Sequence, residues 1–465
     1  MASITQNGFD DYAKNKNIHT SIKAFFREYG IGTVLKKANA YKVTGVPVVD
    51  VFYYLVQLVF TNKSMYMNIL MNVNPAGFAK DVVYRLLNSP YINWGKYMLL
   101  TAVSVIHNIE GLTSEDRLNA LAVDDTMFSR HRSKKVELLA NVYDHAAKKY
   151  TNGFRMLTVA WTDGVSLFPL LFRHLSSPNQ KTRRNEAKAD IDKRSCGYAA
   201  RKQAIMSTPE VLFLMLERAR KFMVPARHVI FDSWFSYPAT IMRIRQIGYH
   251  VVGRLKNTSK IKYLVGKDKL TLSQIYNARR KRPGKSKYLL SVEVMLYNDQ
   301  GDTLPTRLVY VRDRLHSKKW IAFASTDMTL TEEQVIALYG KRWDIEVFFK
   351  MCKSYLKLGR EFQGLSYDCI TAHTAVVLTR YIILAAQKRQ NEDPRSLGEL
   401  FHLCYDELAD VQFSDVLATI LDYFHESLYE CLFLSEAQMN GLLEVFISKL
   451  SGAFKHFFVP LAVVG

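Results

Sequence analysis

The chain has 465 residues, 48% of them hydrophobic and 12% aromatic, which is enough for about two to four domains with substantial cores and excludes a disordered protein. Lysine and arginine number 63 against 43 aspartates and glutamates, a net charge of +20, so a partner rich in negative charge is expected. Nucleic acid is the first such partner and an anionic membrane surface the rival, although no basic amphipathic anchor stands out.

Taken in chain order, Met1 to Asn17 is polar and has no signal-peptide core, so no secretory leader is expected. Residues 1–115 read as mostly helical. Segments 20–29 and 33–41, joined at Gly30-Ile31-Gly32, read as a helix-turn-helix or as an ordinary helical hairpin; Lys23, Arg27, Lys36, Lys37 and Lys42 decorate the pair. The apolar runs 46–60 and 370–386 are short or interrupted by Asp50, His373 and Arg380, and read as buried helices, with no membrane span expected. Cys196, Cys352, Cys369, Cys404 and Cys431 are scattered without a CxxC pair, which fits neither a zinc site nor a disulfide scaffold and suits a reducing cytosol.

From residue 119 the texture changes. Residues 119–123 form a buried-strand run ending in Asp124-Asp125-Thr126. Two further strand-like runs, 154–161 and 165–172, flank the hairpin signal Thr162-Asp163-Gly164. A basic segment covers 181–202. Thr208-Pro209-Glu210 then opens a helix to about 222. Residues 227–231 form a short apolar strand ending in Asp232, followed by a helix over 238–247 and a strand over 249–255. Residues 257–325 carry strand signals at 269–272, 288–297, 306–312 and 320–324, together with the basic loop 279–287. This stretch reads as an inserted β-rich subdomain, because 113 residues separate Asp232 from Glu346.

One helix is expected from Thr331, a suitable N-cap, to a stop at Gly359. At about 100° per residue, Tyr339, Arg342, Glu346 and Lys353 fall on one edge of it, beside an apolar stripe of Ile345, Phe348, Phe349, Cys352 and Leu356. A solvated edge with i,i+4 ion pairs would produce the same row. After 360 the chain reads as helical, with segments 413–426 and 436–457.

The spacing Tyr-x2-Arg-x3-Glu-x6-Lys, met by Tyr339, Arg342, Glu346 and Lys353, resembles the signature of the cut-and-paste DDE transposases of the bacterial insertion-sequence type-four family. The order strand, strand, strand, helix, strand, helix, strand over 119–255 is that of an RNase H-like fold, and Asp124, Asp232 and Glu346 stand at the three places where such a fold carries its acids. The expected architecture is therefore α/β: an RNase H-like catalytic core with a β-rich insertion, flanked by helical N- and C-terminal regions. The corresponding segments are a helical DNA-binding region at 1–115, the first part of the core at 116–256, the insertion at 257–325, the second part of the core at 326–400, and a helical, dimerising region at 401–465.

Three carboxylates brought together repel one another, and divalent cations resolve the repulsion. Oxygen-only ligands favour Mg2+ or Mn2+, two ions per site. Asp124, Asp232 and Glu346 are the expected ligands and catalytic residues. Asp125 is the alternative to Asp124, because adjacent strand residues face opposite ways. Arg offers a fork for phosphate, Lys a point charge and Tyr a hydroxyl and a ring, so Tyr339, Arg342 and Lys353 are candidate DNA contacts. Lys256, just past a strand, is another. Trp320 either holds a flipped base, as the resemblance implies, or packs in the core. The resemblance further implies a cytoplasmic, nucleoid-associated bacterial protein. It would act on double-stranded DNA, the terminal inverted repeats and the target, as a homodimer on paired ends. A domesticated DNA-binding relative and an RNase H-like nuclease without strand transfer are the alternatives.

Overall fold

A computed structural model describes residues 17–61, 65, 77–112, 117–144, 148–283, 286–313, 319–362 and 364–390. The segments 413–426 and 436–457 lie outside the described residues, as does the whole of 401–465. The described residues fall into two compact units, one holding residues 17–30 and 57–61 with 65, the other residues 31–56 and 77–390. The first unit contains helix α1 (Asn17–Glu28). The second begins with α2 (Ile31–Lys37), α3 (Val48–Gln57, its last residue in the first unit), α4 (Lys80–Leu87) and α5 (Trp94–Glu110).

The second unit is built on a single mixed sheet. Strand β1 (Ala120–Ser129) pairs antiparallel with β3 (Lys149–Thr162), whose far edge carries β2 (Ala140–Asp144) and then β4 (Leu167–Leu175). Gly153 sits where β1, β2 and β3 meet, and a Cβ there would come within 2.4 Å of the Phe128 carbonyl oxygen. On its other edge β1 runs parallel to β5 (His228–Phe231), and β5 parallel to β6 (His250–Arg254). Parallel neighbours need crossovers. These are supplied by α6 (Cys196–Ala204) and α7 (Thr208–Lys221) before β5, and by α8 (Pro238–Ile247) between β5 and β6. The four residues of β5 are all buried, as expected for a strand covered on both faces. This is an RNase H-like core.

The inserted stretch extends the same sheet. Strand β7 (Tyr263–Val265), β8 (Asp268–Leu270), helix α9 (Leu272–Ala278), β9 (Leu290–Tyr297), β10 (Thr303–Arg312) and β11 (Trp320–Ser325) follow, with β11 antiparallel to β6. Helices α10 (Glu332–Gly340), α11 (Trp343–Ser354) and α12 (Tyr367–Gln390) then return to the core.

The expected single helix over 331–359 is two helices. Its start is as expected, with Thr331 capping in a box with Gln334. The break falls at Lys341 and Arg342, where successive backbone bonds reach three residues back instead of four. Gly340 is a weak helix former there. The Lys341 ammonium is drawn off to the carbonyls of Leu118 and Asp163 at 2.7 and 2.9 Å. The second helix ends at Ser354, five residues before Gly359.

Two buried ion clusters tie α12 to α6 and the segment before β2, and to α3 and the segment after α11. Arg201, near the end of the basic segment 181–202, is 3% exposed and bridges Glu137 (2.6 and 2.8 Å) and Asp368 (2.7 and 2.9 Å). Arg380, fully buried, donates to the carbonyls of Leu55, Val56 and Leu356 and pairs with Glu361. Helix α12 is long and apolar enough to cross a membrane, but its apolar window is wholly buried inside the protein.

Removing one member of a buried ion cluster leaves uncompensated charge. Arg201→Ala strands two carboxylates and should cost about 3–5 kcal/mol of stability, read as a lowered denaturant midpoint. An unchanged midpoint would show that Glu137 and Asp368 do not depend on Arg201.

Candidate active site

The ends of the parallel strands set the site. Val123 of β1 pairs with Phe231 of β5, so Asp124 and Asp232 emerge side by side from adjacent strands. Strand β1 runs on past Asp124 because β3 still pairs with it as far as Ser129. Alternation along β1 sends Asp124 and Thr126 to one face and Asp125 to the other. Contacts show which is which. Asp124 Oδ2 accepts from Arg342 Nη1 at 3.2 Å, and Thr126 Oγ1 from Lys353 Nζ at 2.6 Å. Both donors come from the α11 segment. Asp125 instead holds the Arg155 guanidinium of β3 through both carboxylate oxygens, one of them at 2.6 Å.

Glu346, one turn into α11, accepts from Arg342 Nη2, so a single guanidinium lies between Asp124 and Glu346. Asp344 on the same turn is tied to Thr162 at 3.0 Å, which fixes the start of α11 against the end of β3. Asp232 is held from its own turn. Its Oδ1 accepts from the Trp234 backbone N–H at 2.8 Å, and its carbonyl accepts from Ser236 Oγ at 3.2 Å.

Burial pushes the Asp124 carboxyl up to about 7, and the like charges of Asp125 and Asp232 add to the push; the Asp125 backbone N–H and Arg342 oppose it. Burial lowers the Lys353 ammonium from its usual range. Tyr339 is half-buried against Phe323 at 4.3 Å between ring centroids, with the Arg342 guanidinium over its ring at 5.8 Å. The structure thus brings together Asp124, Asp232, Tyr339, Arg342, Glu346 and Lys353.

Lys256 is exposed two residues beyond the end of β6, the strand next to β5. Trp320 stacks on Tyr276 at 5.0 Å and meets Tyr310 edge-on at 5.0 Å, inside an aromatic cluster of the insertion. Sequence reasoning assigned nothing to Arg155 and Trp234. The indole of Trp234 is 48% exposed, and the Arg155 guanidinium lies 5.4 Å from its centroid. A tryptophan two residues past the candidate acid Asp232 was visible in the run from Val229 to Phe235. The strand position of Arg155 carried no linear signal.

Among the described residues no three histidine, cysteine or carboxylate side chains stand close enough together to hold a metal ion. The donor set nonetheless suits a hard divalent cation, being oxygen-only, half-buried and self-repelling. Arg342 is the charge that now neutralises two of its members.

Residues 70–295 match the family model described as DDE superfamily endonuclease. The matched stretch contains Asp124 and Asp232 and ends before the helix of Glu346. It supports a DDE transposase-type family and a nuclease or transposase type of activity on DNA; enzymes of this superfamily generally use divalent metal ions. Among curated proteins, no match was found.

The raised Asp124 carboxyl has a definite consequence for stability. Its folded-state value, about 7, lies above the unfolded carboxylate value, so the folded protein holds this proton more tightly. Its contribution to stability is therefore present at low pH and is lost as pH rises from about 4 through 7. In EDTA, the melting temperature of Asp124→Asn relative to the parent should climb between pH 5 and pH 8. A constant difference across that range would contradict the raised value.

Proposed function

We propose that the protein is a metal-dependent DNA transposase of the cut-and-paste kind. The observation that carries this reading is that Asp124 and Glu346, from separate parts of the chain, share the Arg342 guanidinium, while Asp232 follows the strand paired beside Asp124 and Lys353 reaches Thr126. Asp124, Asp232 and Glu346 would hold Mg2+ or Mn2+, two ions per site. The metal would supply positive charge at the phosphodiester and acidify the attacking hydroxyl.

The chain's own residues bind and orient the DNA. Lys353, on Thr126, and Arg342, between Asp124 and Glu346, suit backbone phosphates, one as a point charge and the other as a fork. Tyr339 packs its ring against the Arg342 guanidinium, and Lys256 adds a charge at the neighbouring strand end. In the first reaction water attacks phosphorus and the bond to the 3′ oxygen breaks, leaving a 3′-hydroxyl. In the second that hydroxyl attacks a target phosphodiester, whose own 3′ oxygen leaves. Helices α1 and α2 would contribute to binding the element's ends, and a homodimer would pair them.

The test is incubation with duplexes carrying candidate terminal repeats, Mg2+ and a target plasmid. Cleaved and joined products are expected. Glu346→Gln and Asp232→Asn should each lower cleavage by more than about 100-fold while leaving DNA affinity within about twofold, since each removes a metal ligand and no phosphate contact. DNA affinity should fall steeply with salt, by a log–log slope of about −0.9 per phosphate contacted. Cleavage without joining would leave a nuclease, and binding without cleavage a DNA-binding relative. Near-normal cleavage by Glu346→Gln would remove this residue from the site.

A further inference from the structure

Strands β1 and β5 also lie side by side at their N-terminal ends, where Ala120 pairs with His228. That end of β1 is four residues from Asp124, about 13 Å along the strand. A cleft of about 630 Å³ lies there, lined by the residues leading into β1, the last turn of α7 and the loop from α7 into β5. Its volume falls within the range of small-molecule sites, about 300–1,000 Å³.

Three arginines line it, Arg117, Arg220 and Arg227, and among the described residues of the lining none is acidic. Arg227 is exposed, and the Arg220 guanidinium lies over the Tyr249 ring at 5.6 Å. Neither has a carboxylate partner among the described residues. Arg117 Nη1 is buried and has no hydrogen-bond partner among them. It stands 3.7 Å from Asp163 Oδ2, which already accepts from Arg389 at 3.1 Å.

Two acceptors join the arginines. Asn119 Oδ1 is buried, with no hydrogen-bond partner among the described residues. His228 is 1% exposed, and its Nε2 lies 2.8 Å from Asp327 Oδ2. Burial raises the Asp327 carboxyl, but hydrogen bonds from Thr329 and His228 outweigh it and bring the group down to about 2, so it is ionised at neutral pH. Burial lowers the His228 imidazole, which is therefore neutral, and its one ring hydrogen goes to Asp327. Its Nδ1 is then a lone-pair acceptor, also without a partner among the described residues. Buried polar atoms are rarely left unpaired, yet three residues lining one cleft carry such an atom. The donors suit an anion and the acceptors a group that carries N–H. Met223, 82% exposed, and its apolar neighbours complete the lining and suit a flat ring.

We propose that this cleft binds a nucleoside monophosphate, its phosphate on Arg117, Arg220 and Arg227 and the amino group of its base on Asn119 and His228. A duplex reaches exposed arginines but brings no free amino group to buried acceptors, so the small ligand fits the lining better than DNA does.

The test is isothermal titration calorimetry of the full chain with AMP in EDTA, which keeps metal ions from drawing the phosphate to Asp124, Asp232 and Glu346. One AMP per chain should bind, at least about tenfold more tightly than ribose 5-phosphate, adenosine or inorganic phosphate. Arg227→Ala, at an exposed side chain, should weaken AMP at least about tenfold with the melting temperature unchanged, and Arg227→Lys should recover part of the loss. Lys353→Ala, at the other end of the strands, should leave AMP affinity within about twofold. The proposal is overturned if AMP does not bind, if ribose 5-phosphate or inorganic phosphate binds equally well, or if Arg227→Ala keeps full affinity. Loss of AMP binding in Lys353→Ala would place AMP at the catalytic end, and displacement of AMP by duplex DNA would make the arginines a DNA contact; either result overturns the nucleotide site.

Discussion

One guanidinium between two carboxylates is the interaction on which the site depends. Arg342 holds Asp124 with one nitrogen and Glu346 with another, although 218 residues of sequence separate it from Asp124. Without a cation in that place, the acids gathered at the middle of β1, just past β5 and at the start of α11 would repel one another in a half-buried setting. The guanidinium can occupy it because the helical stretch breaks at Lys341, whose ammonium anchors the break to the carbonyls of Leu118 and Asp163. Gly164, at φ +90°, leaves the space through which Lys341 passes, since a Cβ there would come within 2.8 Å of the lysine chain.

The rest of the second unit serves to keep those ends together. Parallel pairing of β1 with β5 sets Asp124 beside Asp232, and β3 extends β1 beyond the point where β5 stops. Helix α12 is held by the Arg201 cluster on one side and the Arg380 cluster on the other. Aromatic contacts such as Phe348 with Tyr381, 4.8 Å between centroids, pass that rigidity to α11. Buried ion clusters are weak evidence of net stability, but they fix one arrangement over others, and here the arrangement fixed is the approach of α11 to β1.

Much of this was legible in sequence because the core elements carry strong local patterns. The strand–helix order over 119–255, the cap at Thr331 and the apolar stripe of α11 all follow from periodicity and turn chemistry, and the helix Pro238–Ile247 matches its expected bounds. Strand β2 was missed because five residues between polar loops carry too little pattern. Helix α6 was hidden by the basic composition of its segment, yet Ser195 caps it. The break before α11 falls where the weak helix former Gly340 meets tertiary bonds from Lys341, and those bonds carry no local signal. The sequence favours Asp124 over Asp125 for its place before Asp125-Thr126, and in the structure the two differ in their partners, Arg342 for Asp124 and Arg155 for Asp125. Trp320 shows the reverse case, since a strand tryptophan reads alike for base contact and for packing, and its neighbours Tyr276 and Tyr310 supply the packing.

The account requires that Arg342 stand in for a cation and give way to one. The most direct measurement is crystallographic: crystals of the protein soaked with Mn2+, with anomalous scattering used to locate the metal. The account predicts an anomalous peak bounded by Asp124, Asp232 and Glu346, with the Arg342 guanidinium swung away from both of its present partners. A fully occupied Mn2+ peak elsewhere, or no peak with Arg342 still bridging Asp124 and Glu346, would contradict it.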